Sequence, residues 1–197
     1  MPKPLYFIIY KPYKVLSQFT DEKGNPGLGS IFKLPSDVYP VGRLDMDSEG
    51  LLILTNDKKL NHRLLNPAFE HRRTYWVEVE GRPDKTALEN LEKGLDINLK
   101  GTKHRTLPAL VEIITPDNIP PRQPAVNYQK HPTTSWVAIT LTEGKNRQVR
   151  RMFAAVGHPV LRLIRIQIED LSLAPLKPGE ITQISEKAIY KKLSIET

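Results

Sequence analysis

Between Val38 and Asp57 the sequence reads VYPVGRLDMDSEGLLILTND, a stretch in which two short apolar runs flank the charged residues Arg43, Asp45, Asp47 and Glu49, with Asp57 at its end. An aspartate of ordinary acidity is ionised at neutral pH without a helper, so a residue such as Asp45 can serve as a base or a nucleophile. In a polar turn after Gly42 the same aspartate can also be a simple turn former. Asp47 and Glu49 read as turn and loop residues beside it, and Asp57 as a helix cap.

A second concentration of charge lies late in the chain. Lys145, Arg147, Arg150 and Arg151 crowd one short helical stretch, and positive charge continues through Arg162 and Arg165. A solvated helix face usually interleaves acids three or four residues from its bases, yet none follows Glu143 in this segment. Cations without such partners repel one another, so an anion is expected to meet them, and RNA is the simplest candidate. The whole chain agrees in sign: 29 Lys and Arg against 22 Asp and Glu give a net +7. Tyr10, Tyr13, Tyr75, Trp76, Tyr128 and Trp136 are scattered among the basic stretches, and flat rings beside cations suit unpaired bases. Most aromatics are core; Trp136 is read that way, while Trp76 is left open.

Several chemistries are excluded. Without cysteine there is no thiol nucleophile, thiolate metal site or disulfide. His62, His71, His104, His131 and His158 form no HxxxH or HExxH pair, so no metal is expected. Gly24, Gly27 and Gly29 lack the Lys-Ser/Thr of a phosphate loop, and no cofactor is expected. The apolar run Leu5–Tyr10 is too short for a signal peptide or a membrane span, which reads as a soluble, cytoplasmic protein with no membrane partner.

These residues need elements to hold them. Leu5–Tyr10, Val38–Val41 and Leu51–Thr55 read as strands, which puts Asp45 in the connection between the last two. Asn56 or Asp57 caps a helix through Leu65, with Leu60, Leu64 and Leu65 on one face. RRTYWVEVEG alternates, Tyr75, Val77 and Val79 facing one way and Trp76, Glu78 and Glu80 the other. Asp84 opens a helix that Gly94 ends, and Ala109–Thr115 is a strand. TPDNIPPRQPAVNYQKHPTT, residues 115–134, is a long irregular Pro-rich loop. SWVAITLTEG is a strand, GKNRQVRRMFAAVG a helix with a basic first turn, and the alternation of Ile164, Ile166 and Ile168 a further strand. Pro178-Gly179 makes a turn, and Ser185 caps a terminal helix. Strands outnumber helices without alternating with them, so the expected class is α+β with a mixed, largely antiparallel sheet flanked by helices.

GRLDMDSEGLLILTND, then YWVEVEG, then LTEGKNRQVRRM and GHPVLRLIRIQI, in that order and separation, resemble the RsuA family of ribosomal RNA pseudouridine synthases over nearly the whole chain. KPYKVLSQFTDEKG resembles the RluE branch of that family, which acts on a uridine in 23S, large-subunit, ribosomal RNA. The resemblance implies the pseudouridine synthase fold, with two sub-lobes and a central cleft. It also implies a single catalytic domain over 1–197, without the S4-type module that precedes it in many relatives, since the first strand starts at Leu5. Asp45 then matches the catalytic nucleophile and Arg43 a residue that helps open the RNA. Tyr75 matches the active-site tyrosine of a block that usually reads Lys-x-Tyr-x-Val, with Arg73 here in place of the lysine. Arg150 matches the basic residue paired with the aspartate. Arg147 stands where some relatives carry His, and it is expected to contact RNA together with Arg73, Lys145, Asn146, Arg151 and Arg165.

The implied reaction breaks the bond from ribose C1′ to uracil N1, turns the base and joins C1′ to C5; it is redox-neutral and needs no cofactor. An arginine ~4 Å from a desolvated aspartate would keep it charged by roughly 4 kcal/mol at an effective dielectric near 20. A tyrosine on the base could accept the C5 proton. The target must be flipped out of its stack at a cost of a few kcal/mol. The expected partner is 23S ribosomal RNA, met by a monomer with no protein partner. A non-catalytic RNA-binding or ribosome-assembly factor on the same fold is the alternative.

Overall fold

The computed structural model describes residues 3–196. In chain order its first elements are β1 (Tyr6–Lys11), β2 (Tyr39–Pro40), β3 (Glu49–Thr55), α1 (Lys58–Leu65) and β4 (Arg73–Glu80). There follow α2 (Lys85–Glu92), β5 (Asp96–Leu99), β6 (Thr102–Arg105), β7 (Leu110–Ile114), β8 (Thr134–Leu141) and α3 (Gln148–Ala155). The last are β9 (Val160–Ile168), β10 (Leu171–Ser172), β11 (Ile181–Gln183) and α4 (Glu186–Lys192). This is the α+β class with a mixed, mostly antiparallel sheet. The chain divides into two units: one runs through His71 and resumes at Ile164, the other is Arg72–Leu163.

In the first unit the strand order is β11, β1, β3, β9, with β2 pairing β3 and β10 pairing β9. All seven residues of β3 are buried, as befits a strand with neighbours on both edges and apolar side chains on both faces. It runs antiparallel to β1 and parallel to β9. Gly50 has φ +105, and a Cβ there would come within 2.3 Å of the Arg165 carbonyl oxygen, so only glycine lets β9 approach so closely. Asp57 caps α1, accepting from the N–H groups of Lys59 and Leu60, while Leu60 and Leu64 are buried beneath the helix.

In the second unit the order is β9, β4, β8, β7. The β4 and β8 strands pair antiparallel along their full lengths, Arg73 opposite Leu141 and Glu80 opposite Thr134. Val77, Val79, Val137, Ile139 and Leu141 form one wall of a core closed by Leu91, Val149, Met152, Phe153 and Leu163. The alternation read in RRTYWVEVEG is thus the division between core face and opposite face. Asp84 caps α2 and Gly94 ends it at φ +73, both as expected. The β5–β6 hairpin is an addition to the expected elements: Ile97 and Leu99 alternate with Asp96 and Asn98 over only four residues, and the returning strand TKHR carries no apolar residue. Trp136 is half-buried and pairs with Glu78 on the strand face away from that core, which corrects its reading as a core residue.

Candidate active site

The connection from β2 to β3 carries Asp45, as the sequence implied, and the first unit holds that connection from both sides. Ser17, 5% exposed, donates its hydroxyl to the Leu44 carbonyl at 2.8 Å and accepts from the Leu44 N–H at 3.0 Å. The Lys14 N–H donates to the Met46 carbonyl at 2.8 Å, and the Ser48 N–H closes the turn on the Asp45 carbonyl at 3.0 Å. The backbone on either side of Asp45 is therefore fixed, and its half-buried side chain projects from a pinned turn. Arg43, two residues earlier, is exposed. Glu49 is not the loop residue expected: it opens β3 and is 1% exposed.

Two cations lie buried in the same unit. Lys11, at the end of β1, is wholly buried, and its Nζ donates to the carbonyls of Pro12 at 2.9 Å and Val15 at 2.7 Å. Burial lowers its ammonium to about 8, although the carboxylates of Glu49, Asp47 and Asp45 all pull it upward. Arg165 is 5% exposed and donates from Nε to the Leu51 carbonyl at 2.8 Å. The sequence reading placed Arg165 on an RNA-facing surface. The structure corrects this, because β9 is an interior strand with Ile164 and Arg165, on opposite faces, both buried.

In the second unit Tyr75 sits at the end of the core-facing row of β4, half-buried and packed against the core, with Ile139 opposite it on β8. Arg73, two residues earlier on the same strand, is also half-buried. Helix α3 begins at Gln148, so Lys145, Asn146 and Arg147 belong to the turn before it and not to a basic first helical turn. Arg147 occupies the N-cap in a left-handed conformation, φ 52, with no side-chain cap. A network that sequence reasoning passed over builds this turn. Glu143 accepts from Gln148 Nε2 at 2.7 Å, from the Leu107 N–H at 2.8 Å, and stands 3.2 Å from His104 Nε2. Gln148 Oε1 in turn accepts from the Lys145 N–H at 2.9 Å. The signal was present: Glu143 is the lone acid heading the basic run.

The basic cluster separates into surface and structural members. Lys145, Asn146 and Arg147 are exposed. Arg150 is half-buried, its Nη1 donating to the Val160 carbonyl at 3.3 Å. Arg151 donates to the Asn146 carbonyl at 3.1 Å, to Asn146 Oδ1 at 3.4 Å and to the Asn98 carbonyl, tying the turn to the β5–β6 hairpin. Arg162, 6% exposed, donates to the Pro120 carbonyl at 2.9 Å, and Arg122 donates to the carbonyls of Pro124 and Leu161. The Pro-rich loop is thus a strap laced down by arginines, and Arg162 is part of the lacing rather than of a basic surface.

Residues 5–155 match the family model described as RNA pseudouridylate synthase. The chain is 46% identical over 177 residues to the ribosomal large subunit pseudouridine synthase E of Vibrio parahaemolyticus, covering 90% of this chain and 72% of that protein. With the protein of the same name from Xanthomonas axonopodis pv. citri it shares 47% identity over 173 residues, 87% of this chain and 89% of the relative. Its backbone is similar to that in a solved crystal structure of a pseudouridylate synthase, with a TM-score of 0.79 at 29% identity over 98% of this chain and 75% of the other.

Proposed function

The chain belongs to the RNA pseudouridylate synthase family, and on that premise we propose that it isomerises one uridine of 23S ribosomal RNA to pseudouridine, acting as a cytoplasmic monomer. The observation that carries this reading is the near-half identity, along almost the whole chain, with proteins named for the large ribosomal subunit. The pinned turn that presents Asp45 supports it from the side of the chemistry.

In this reading Asp45 is the nucleophile or base that opens the bond from C1′ to N1. The freed uracil turns, C1′ bonds to C5, the C5 proton leaves and N1 takes up a proton in its place, so the product is an isomer and no electrons are gained or lost. Tyr75 takes up that proton or positions a water that does. Arg150 acts on the charge of Asp45, Arg43 helps extrude the target, and Arg73, Lys145, Asn146 and Arg147 hold phosphates. Each member of this set matches a family motif position or lies exposed in the basic turn.

The test is tritium release from ribosomal RNA labelled at uridine C5. The wild-type protein releases tritium, and Asp45→Asn lowers the rate by about 10³-fold or more while still binding RNA. Undiminished release by the amide variant removes Asp45 from the chemistry. Absence of release by wild-type protein from any large-subunit substrate would leave an RNA-binding factor.

A further inference from the structure

The register of the first unit sets three residues in one row across adjacent strands: Lys11 of β1 pairs with Gly50 of β3, and Gly50 with Arg165 of β9. Strands two apart lie roughly 10 Å from each other, and the middle position of this row has no side chain. Both outer positions are buried cations, and the turn that carries Asp45, Asp47 and Glu49 enters the sheet at the glycine between them. We propose that Lys11 and Arg165 are positioning residues for the reaction, forming a cationic seat on which the Asp45 turn rests and which keeps Asp45 charged when substrate displaces water. The inference rests on Asp45 being the catalytic group.

Three further observations support the seat. First, Lys11 also holds the segment that clamps the turn: its ammonium closes Pro12 to Val15, a stretch that contains Lys14 and lies just before Ser17, and these two bind Met46 and Leu44. Second, Arg165 has spare capacity. Its Nε donates to Leu51, but its buried Nη2 has no hydrogen-bond partner among the described residues, so that donor is not committed elsewhere. Third, the charges facing Lys11 are Glu49, Asp47 and Asp45, with Arg165 opposing them, and the coupling is mutual. Whatever free energy the carboxylates lend to the Lys11 ammonium, the ammonium returns to the carboxylates. A cationic seat of this kind serves Asp45 within its own unit, independently of Arg150.

Two measurements decide the matter. In protein carrying isotope-labelled lysine, the NMR titration of Lys11 is followed in wild type and in Asp45→Asn. Loss of the carboxylate is expected to move the Lys11 midpoint down by a few tenths of a pH unit or more, and an unmoved midpoint overturns the seat. Single-turnover tritium release is then followed against pH in Arg165→Gln and Arg165→Lys. The glutamine variant is expected to shift the acid limb of the profile up by about one unit, with lysine restoring it. Superimposable acid limbs overturn the proposal. If Arg165→Gln does not fold, the lysine titration stands alone as the test. Full activity in Asp45→Asn would sink the catalytic reading of Asp45, whereas the titration reads the charge coupling itself.

Discussion

Tyr75 and Asp45 meet different demands as single residues. Tyr75 lies where a core-facing row reaches half-burial, and it packs against that core. Tyr75→Phe keeps the ring and removes the hydroxyl oxygen. Tritium release in single turnover is expected to fall by about 10²-fold with folding and RNA affinity nearly unchanged, and a phenylalanine variant as fast as wild type would leave Tyr75 a packing residue. At Asp45 the turn is fixed through the backbone of Leu44, Met46 and Ser48. The arginines divide in the same way. Arg147 is exposed, whereas Arg151 donates within its own turn, so Arg147→Ala should weaken RNA binding with little effect on stability and Arg151→Ala should do the reverse. Filter binding and thermal unfolding of the two variants check that contrast.

Among the elements, α1 shows how a cap can carry more than its helix. Besides the N–H groups of Lys59 and Leu60, Asp57 accepts the hydroxyls of Tyr6 at 2.8 Å and Tyr190 at 2.6 Å, so the cap also joins β1 and α4. Burial pushes the Asp57 carboxyl up, but the hydrogen bonds from Tyr190, Tyr6, Leu60 and Lys59 outweigh it and hold the group below its ordinary value. The tyrosine hydroxyls are raised in turn, by burial first and then by the bond to Asp57. Asp57→Ala removes the cap and strands two buried hydroxyls, a loss of about 2–4 kcal/mol at neutral pH in urea unfolding. A carboxyl depressed in the folded state stabilises above its unfolded value near ~3.9 and loses that contribution as pH falls through the folded one. The stability gap between wild type and Asp57→Asn should therefore be full at pH 7 and narrow below about pH 4; a gap constant with pH would mean that the charge contributes nothing.

Over the whole molecule the net charge of +7 favours a polyanionic partner, while burial takes Lys11, Arg162 and Arg165 off the surface. Of the residues proposed to hold phosphates, Arg73, Lys145 and Arg147 are cations, the last two of them exposed. Three phosphate contacts predict a salt slope of about −2.1 to −2.7, or a roughly 20- to 40-fold loss of RNA affinity from 50 to 200 mM salt, with Arg147→Ala lowering the slope by about one. Binding that ignored salt would discard an electrostatic interface. What could be read along the chain is what depends on neighbours a few residues apart: the caps at Asp57, Asp84 and Ser185, the two faces of β4, the loop nature of residues 115–134, and the GRLD, Tyr75 and RQVR blocks that resemble one family. Which arginines reach solvent was settled only in three dimensions. Arg165 lies 114 residues from the Leu51 carbonyl that it binds, and Arg162 lies 42 from that of Pro120. Composition and periodicity count a cation wherever it occurs, but its exposure depends on which distant strand or loop the fold brings against it.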